Sequence, residues 1–230
     1  MKKILSLVTL LFSFIFSVSA QKQLNELPNF ERYAKKNADL PILKEGEKRV
    51  VFIGNSITDG WMDMRPDFFI YNNYVGRGIG GQTSPQLLLR FRQDVINLKP
   101  VAVVINIGTN DIAENTGKYN PVFTFDNIKS MAELARANGI KVILSSVLPV
   151  GEYPWRKEIK FVPQLIDALN NQIKAYAKEM GFAYIDYNVS MRDENGAMIA
   201  GYASDGVHPT AEGYAIMETL AKDTIDEVLK

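Results

Sequence analysis

The chain of 230 residues has no cysteine and only one histidine, His208. Without thiols it forms no disulfide, no thiolate metal site and no cysteine-linked lipoprotein anchor. With one imidazole besides, a metal site would have to be built from carboxylates alone, so no metal is expected. An excess of charge is missing too: 26 Lys and Arg stand against 26 Asp and Glu. Such a balance gives no footprint for nucleic acid or an anionic membrane surface. Internal repeats, low-complexity tracts and an interdomain linker are also absent from the sequence.

What is present begins with M-K-K-I-L-S-L-V-T-L-L-F-S-F-I-F-S-V-S-A. Two lysines, an apolar run and small residues before Ala20 make the pattern of a secretory signal peptide. The apolar run from Ile4 to Val18 is shorter than the roughly 20 residues a spanning helix needs, which argues against a stable membrane anchor. Residues 1–20 are therefore expected to be a leader, and residues 21–230 one exported domain, periplasmic or extracellular. A domain of about 210 residues is long enough to be held by its core alone.

After a polar lead-in with a short helix near residues 30–36, β-rich runs occur at 49–53, 73–75, 101–107, 141–147 and 182–186. Helical patterns lie between and after them, at 85–98 with Ser84 as N-cap, 126–138, 162–180 and 211–229. The runs V-A-V-V-I-N-I and I-K-V-I-L-S-S-V are apolar throughout, as parallel strands covered on both faces are. The expected fold is a three-layer α/β/α sandwich on a mainly parallel five-stranded sheet. Residues 111–124 and 148–161 read as long irregular connections. Both leave the carboxyl ends of strands, where open α/β sheets hold ligands.

The same ends carry the residues with chemistry. Ser56, in G-N-S-I-T-D-G after the first strand, is aimed at the crevice as a nucleophile or serves as a helix N-cap. The loop G-R-G-I-G-G-Q-T-S after the second strand offers backbone N–H groups to an anion or oxyanion, or is simply a turn. It follows the second strand rather than the first and no acidic residue lies on the next strand, so it is not read as a dinucleotide fingerprint, and no cofactor is expected. Asn110, in G-T-N-D, can donate to a carbonyl oxygen gaining charge or close an Asx-turn. His208, in S-D-G-V-H-P-T, stands three residues after Asp205 on a loop that Pro209 keeps out of the next helix. A lone histidine is usually a surface or capping residue; four such segments on one sheet edge point instead to acyl transfer.

In order, G-N-S-I-T-D-G, G-I-G-G-Q-T-S, G-T-N-D and D-G-V-H-P-T resemble the four blocks of the SGNH hydrolases, the GDSL-type esterases and lipases. The resemblance covers most of the chain from Val50 onward and implies the flavodoxin-like fold of that family. It implies a triad of Ser56, His208 and Asp205, with an oxyanion hole from the backbone of Ser56 and Gly81 and the side chain of Asn110. The family's usual aspartate before the serine is Asn55 here, which leaves open the hydrogen bond that a carboxylate would make.

The aromatic residues Trp61, Tyr153 and Trp155 follow the nucleophile or lie in the second long connection, and are expected to face a sugar ring or to pack their loops. No exposed apolar lid segment is evident, which argues against a lipase acting at a lipid surface. The family members that this form resembles include carbohydrate O-acetylesterases and acetylhydrolases. Deacetylation of a glycan is the expected activity. The alternatives are a lysophospholipase or short-chain lipid esterase, and a glycan-binding module without catalysis.

Overall fold

The computed structural model describes residues 27–230, so the expected leader lies outside the described residues. Five strands form one parallel sheet in the order β2-β1-β3-β4-β5: β1 (Val50–Gly54), β2 (Tyr74–Gly78), β3 (Ala102–Asn106), β4 (Lys141–Ser145) and β5 (Ala183–Ile185). All five β-rich runs become strands, shifted at most by a few residues.

Side-chain alternation divides the core into two layers. Val51, Ile53, Val103, Ile105, Val142 and Leu144 face one side of the sheet. There they meet α4 (Ser84–Asp94), α6 (Pro121–Ala137) and α7 (Val162–Met180), through residues such as Phe91, Met131 and Leu169. Val50, Phe52, Ala102, Val104, Ile143 and Ile185 face the other side. That side is covered by α2 (Ser56–Met64), α3 (Pro66–Asn72), α8 (Tyr187–Met191) and α9 (Ala211–Leu229). Two further short helices are α1 (Glu31–Ala38) and α5 (Thr109–Ile112). This is the three-layer α/β/α sandwich expected. Among the described residues no helix is long and apolar enough to cross a membrane.

Helix α7 and helix α9 have the expected bounds, since Gly181 stops the first and Thr210 caps the second. Other boundaries differ, and the helix expected over 85–98 ends at Asp94, with Ile96–Leu98 forming a separate 3-10 turn. Helix α6 begins five residues early, because Asn120 accepts from the Phe123 N–H at 3.1 Å and Pro121 takes the first turn. Helix α4 is capped by Thr83 rather than Ser84, with the Thr83 N–H donating to Gln86 Oε1 at 2.9 Å.

From β1 the chain moves outward to β2 and then returns to β3 on the other side of β1. The crevice between the carboxyl ends of β1 and β3 is the place where such sheets bind ligands. Ser56 follows β1 and Asn110 follows β3, so they flank it.

Candidate active site

Ser56 opens α2, two residues after Gly54 ends β1. Asn55 is the cap, its Oδ1 accepting from the Ile57 N–H at 3.1 Å. The amide thus supplies the acceptor that a carboxylate would supply, while its buried Nδ2 has no partner. The turn fits only because Gly78 of β2 lacks a side chain: a Cβ there would come within 2.1 Å of the Asp59 nitrogen.

Ser56 Oγ lies 2.9 Å from His208 Nε2, and His208 Nδ1 lies 2.8 Å from Asp205 Oδ2. A carboxylate only accepts, so Nδ1 carries the proton and Nε2 is left to accept from the serine. The Asp-x-x-His spacing generates this geometry locally. Asp205 Oδ1 accepts from the Val207 and His208 N–H groups at 2.9 and 2.8 Å, leaving Oδ2 for the ring. Gly206, at φ +82°, turns the chain between them. Burial works to raise the Asp205 carboxyl, but the N–H and ring of His208 and the Val207 N–H outweigh it and hold it below the usual range. Thr210 then caps α9, and Tyr214 in its first turn donates to the Ile57 carbonyl at 2.8 Å. That bond ties the histidine-bearing segment to the serine-bearing helix.

The second and third blocks close the opposite side. Gly81 has φ +76°, a conformation that an L side chain resists, and a Cβ on Gly80 would stand 3.9 Å from the Ser56 Cβ. Asn110 is buried on α5, and its Nδ2 donates to the Gln82 carbonyl at 3.0 Å. One amide hydrogen is thereby fixed, and the other remains for a ligand oxygen. Ser56 and Asn110 follow the carboxyl ends of β1 and β3, Gly81 follows that of β2, and the Asp205–His208 pair reaches Ser56 from the loop before α9.

The three aromatics separate. Trp61 is 2% exposed, stacked between Phe68 and Tyr214 in the core, so it offers no face to a substrate. Tyr153 is fully buried with its hydroxyl 3.0 Å from Thr109 Oγ1, and it too lies off the surface. Trp155 remains 42% exposed, its ring centroid 6.2 Å from that of His208 and tilted by 30°. Its Nε1 donates to Asn115 Oδ1 at 3.1 Å, and Asn115 Nδ2 points to the Gly81 carbonyl at 3.4 Å. Asn115 was not visible as a site residue in the sequence, because it lies inside an irregular connection with no motif of its own.

Residues 52–216 match the model of the GDSL-like lipase/acylhydrolase family. The crystal structure of a GDSL-like lipase from Bacteroides thetaiotaomicron superimposes with a TM-score of 0.86 and 59% identity, covering 88% of this chain and all of that one. An acetylxylan esterase from Xylanibacter ruminicola is 26% identical over 209 residues, 76% of this chain. Only 42% of that esterase's length is spanned. The esterase TesA of Pseudomonas aeruginosa is 26% identical over 172 residues, 73% of this chain and 79% of its own. The family model spans most of the chain and all four blocks, so the protein belongs to the GDSL-like lipase/acylhydrolase family.

Proposed function

We propose that the protein is an exported serine esterase that removes O-acetyl groups from carbohydrate. The observation that carries the reading is the relay of Ser56 Oγ, His208 Nε2, His208 Nδ1 and Asp205 Oδ2, closed at 2.9 and 2.8 Å.

His208 Nε2 takes the hydroxyl proton as Ser56 Oγ bonds to the ester carbonyl carbon. Charge on the carbonyl oxygen is met by the N–H groups of Ser56 and Gly81 and the free amide hydrogen of Asn110. The intermediate expels the alcohol, which leaves with the proton from His208. Water then attacks the acetyl-serine, losing its proton to the same nitrogen, and release of acetate returns that proton to Ser56. Asp205 keeps Nδ1 protonated and stabilises the imidazolium in both halves.

Trp155 favours a sugar on the alcohol side. It is an exposed aromatic face beside His208, and aromatic faces suit the apolar side of a pyranose ring. The name of the acetylxylan esterase relative agrees with that choice. The test is hydrolysis by residues 21–230 and by the Ser56→Ala variant of an aryl acetate, an acetylated xylo-oligosaccharide and a lysophospholipid. Acetate release from the sugar, abolished in the variant, is the expected result. Fatty-acid release in excess of acetate would replace it with a lipid esterase. Glycan binding without turnover of any ester would replace it with a binding module.

A further inference from the structure

Arg90 is wholly buried in α4, and its guanidinium donates in three directions. Nη1 reaches Asp94 Oδ2 at 2.9 Å, Nη2 the carbonyl of Gly54 at 2.9 Å, and Nε the Oε1 of Gln82 at 2.6 Å. Burying a guanidinium is costly, and Asp94 offsets its charge. The other two bonds go elsewhere, to the end of the strand that presents Ser56 and to the residue after Gly81. A buried guanidinium needs acceptors for its remaining N–H groups, and here those acceptors are the strand end before Ser56 and the side chain next to Gly81.

Gln82 receives this clamp and passes it on. Its side chain, 3% exposed, also donates from Nε2 to the Pro28 carbonyl at 2.9 Å. Its N–H closes the turn onto the Ile79 carbonyl at 3.4 Å. Its own carbonyl accepts from Asn110 Nδ2 at 3.0 Å. A primary amide is planar, so fixing the direction of one N–H fixes that of the other. The peptide of Gln82 thus sets where the free N–H of Asn110 points, and the side chain of Gln82 sets where that peptide sits.

We propose that Gln82, anchored by Arg90, is a positioning residue that aims the Asn110 amide at the developing oxyanion. The proposal rests on the reading of Asn110 as an oxyanion donor. Gln82 touches no reacting atom in it and acts only through Asn110.

The test is a double-mutant cycle on aryl acetate hydrolysis, with kcat and KM measured for wild type, Gln82→Met, Asn110→Ala and the double variant. Methionine keeps the length of the side chain and removes both of its hydrogen bonds. Misaiming one donor is expected to lower kcat about 10- to 100-fold with KM within about twofold. In the Asn110→Ala background the same substitution should cost less than about threefold, since there is no amide left to aim. Equal losses in both backgrounds, a loss carried by KM, or an unchanged kcat would overturn the proposal. Should Gln82→Met fail to fold, Gln82→Asn, which withdraws the amide from Arg90 by one methylene, is read in the same cycle and by the same criteria. Failure of the oxyanion reading has its own signature: Asn110→Ala alone would then turn over like wild type, and that would overturn both.

Discussion

Asp111 is the buried acid next to Asn110, and replacing it with asparagine isolates its effect on stability. Asp111 is 7% exposed. It accepts from the Ser84 N–H at 3.0 and 3.1 Å and from the Ser84 hydroxyl at 2.6 Å. Burial pushes its pKa from 3.8 up to about 6, against the lowering effect of those bonds. Because the folded pKa lies above the unfolded one, the folded chain holds a proton between pH 3.8 and about 6 that the unfolded chain has released. Stability from this group is therefore greatest below pH 3.8, falls as pH rises through that window, and is level above it. A shift of about 2 pKa units corresponds to roughly 3 kcal/mol. Asp111→Asn stays neutral throughout, and any hydrogen bond that it loses to Ser84 gives an offset independent of pH. Because pH 4 already lies just above the unfolded pKa, the stability difference, variant minus wild type, should move by roughly 2 kcal/mol in the variant's favour between pH 4 and pH 7. Urea unfolding of both proteins at the two pH values, followed by tryptophan fluorescence, measures it. A difference that stays constant within about 0.5 kcal/mol would show that Asp111 is ionised at its ordinary pKa, and the argument from burial would fail.

Other perturbations separate the roles of neighbouring residues. Asn110→Ala should lower kcat on an aryl acetate about 100- to 1,000-fold with a smaller change in KM, measured by steady-state kinetics. Trp155→Ala should raise KM for an acetylated oligosaccharide about tenfold, the loss of one stacking contact, while leaving aryl acetate turnover within about threefold. Trp61→Ala removes a core side chain packed on Phe68 and Tyr214, and is expected to cost about 3–5 kcal/mol in chemical denaturation. Tyr153→Phe deletes one buried hydrogen bond to Thr109, which should cost about 1 kcal/mol of stability and leave KM for both substrates unchanged.

The layers of the fold could be read from the sequence because periodicity and punctuation agreed there. V-A-V-V-I-N-I is apolar on both faces and became β3, buried on both faces. The run from Val162 ends at Gly181, and the structure places the helix C-cap at that glycine. The start of α6 was less legible: residues 121–124 read as the end of an irregular connection, and the signal was the Asn-Pro pair at 120–121, a cap followed by a first-turn proline. Among the site residues, spacing along the chain served well for Asp205 and His208, whose geometry is local. It misled for Trp61. Closeness to Ser56 suggested the pocket, but Trp61 follows Ile57 by four, which places both on one helix face, and that face is buried. Gln82 lay inside a recognised block without standing out. Its role depends on Arg90, eight residues on, and on Asn110, which only the folded sheet brings near.

The parallel sheet has a kinetic consequence. No neighbouring strands in it can pair through a tight hairpin, so each pairing waits for a crossover connection to close. Contacts of that kind are paid for in chain entropy before they return any stability, and they slow folding. Strand β1 stands between β2 and β3, and its serine meets a histidine 152 residues away. Ser56 and His208 therefore meet only after the crossovers on both sides of β1 and the C-terminal helix have docked, so the proposed activity would mark the end of folding rather than its collapse.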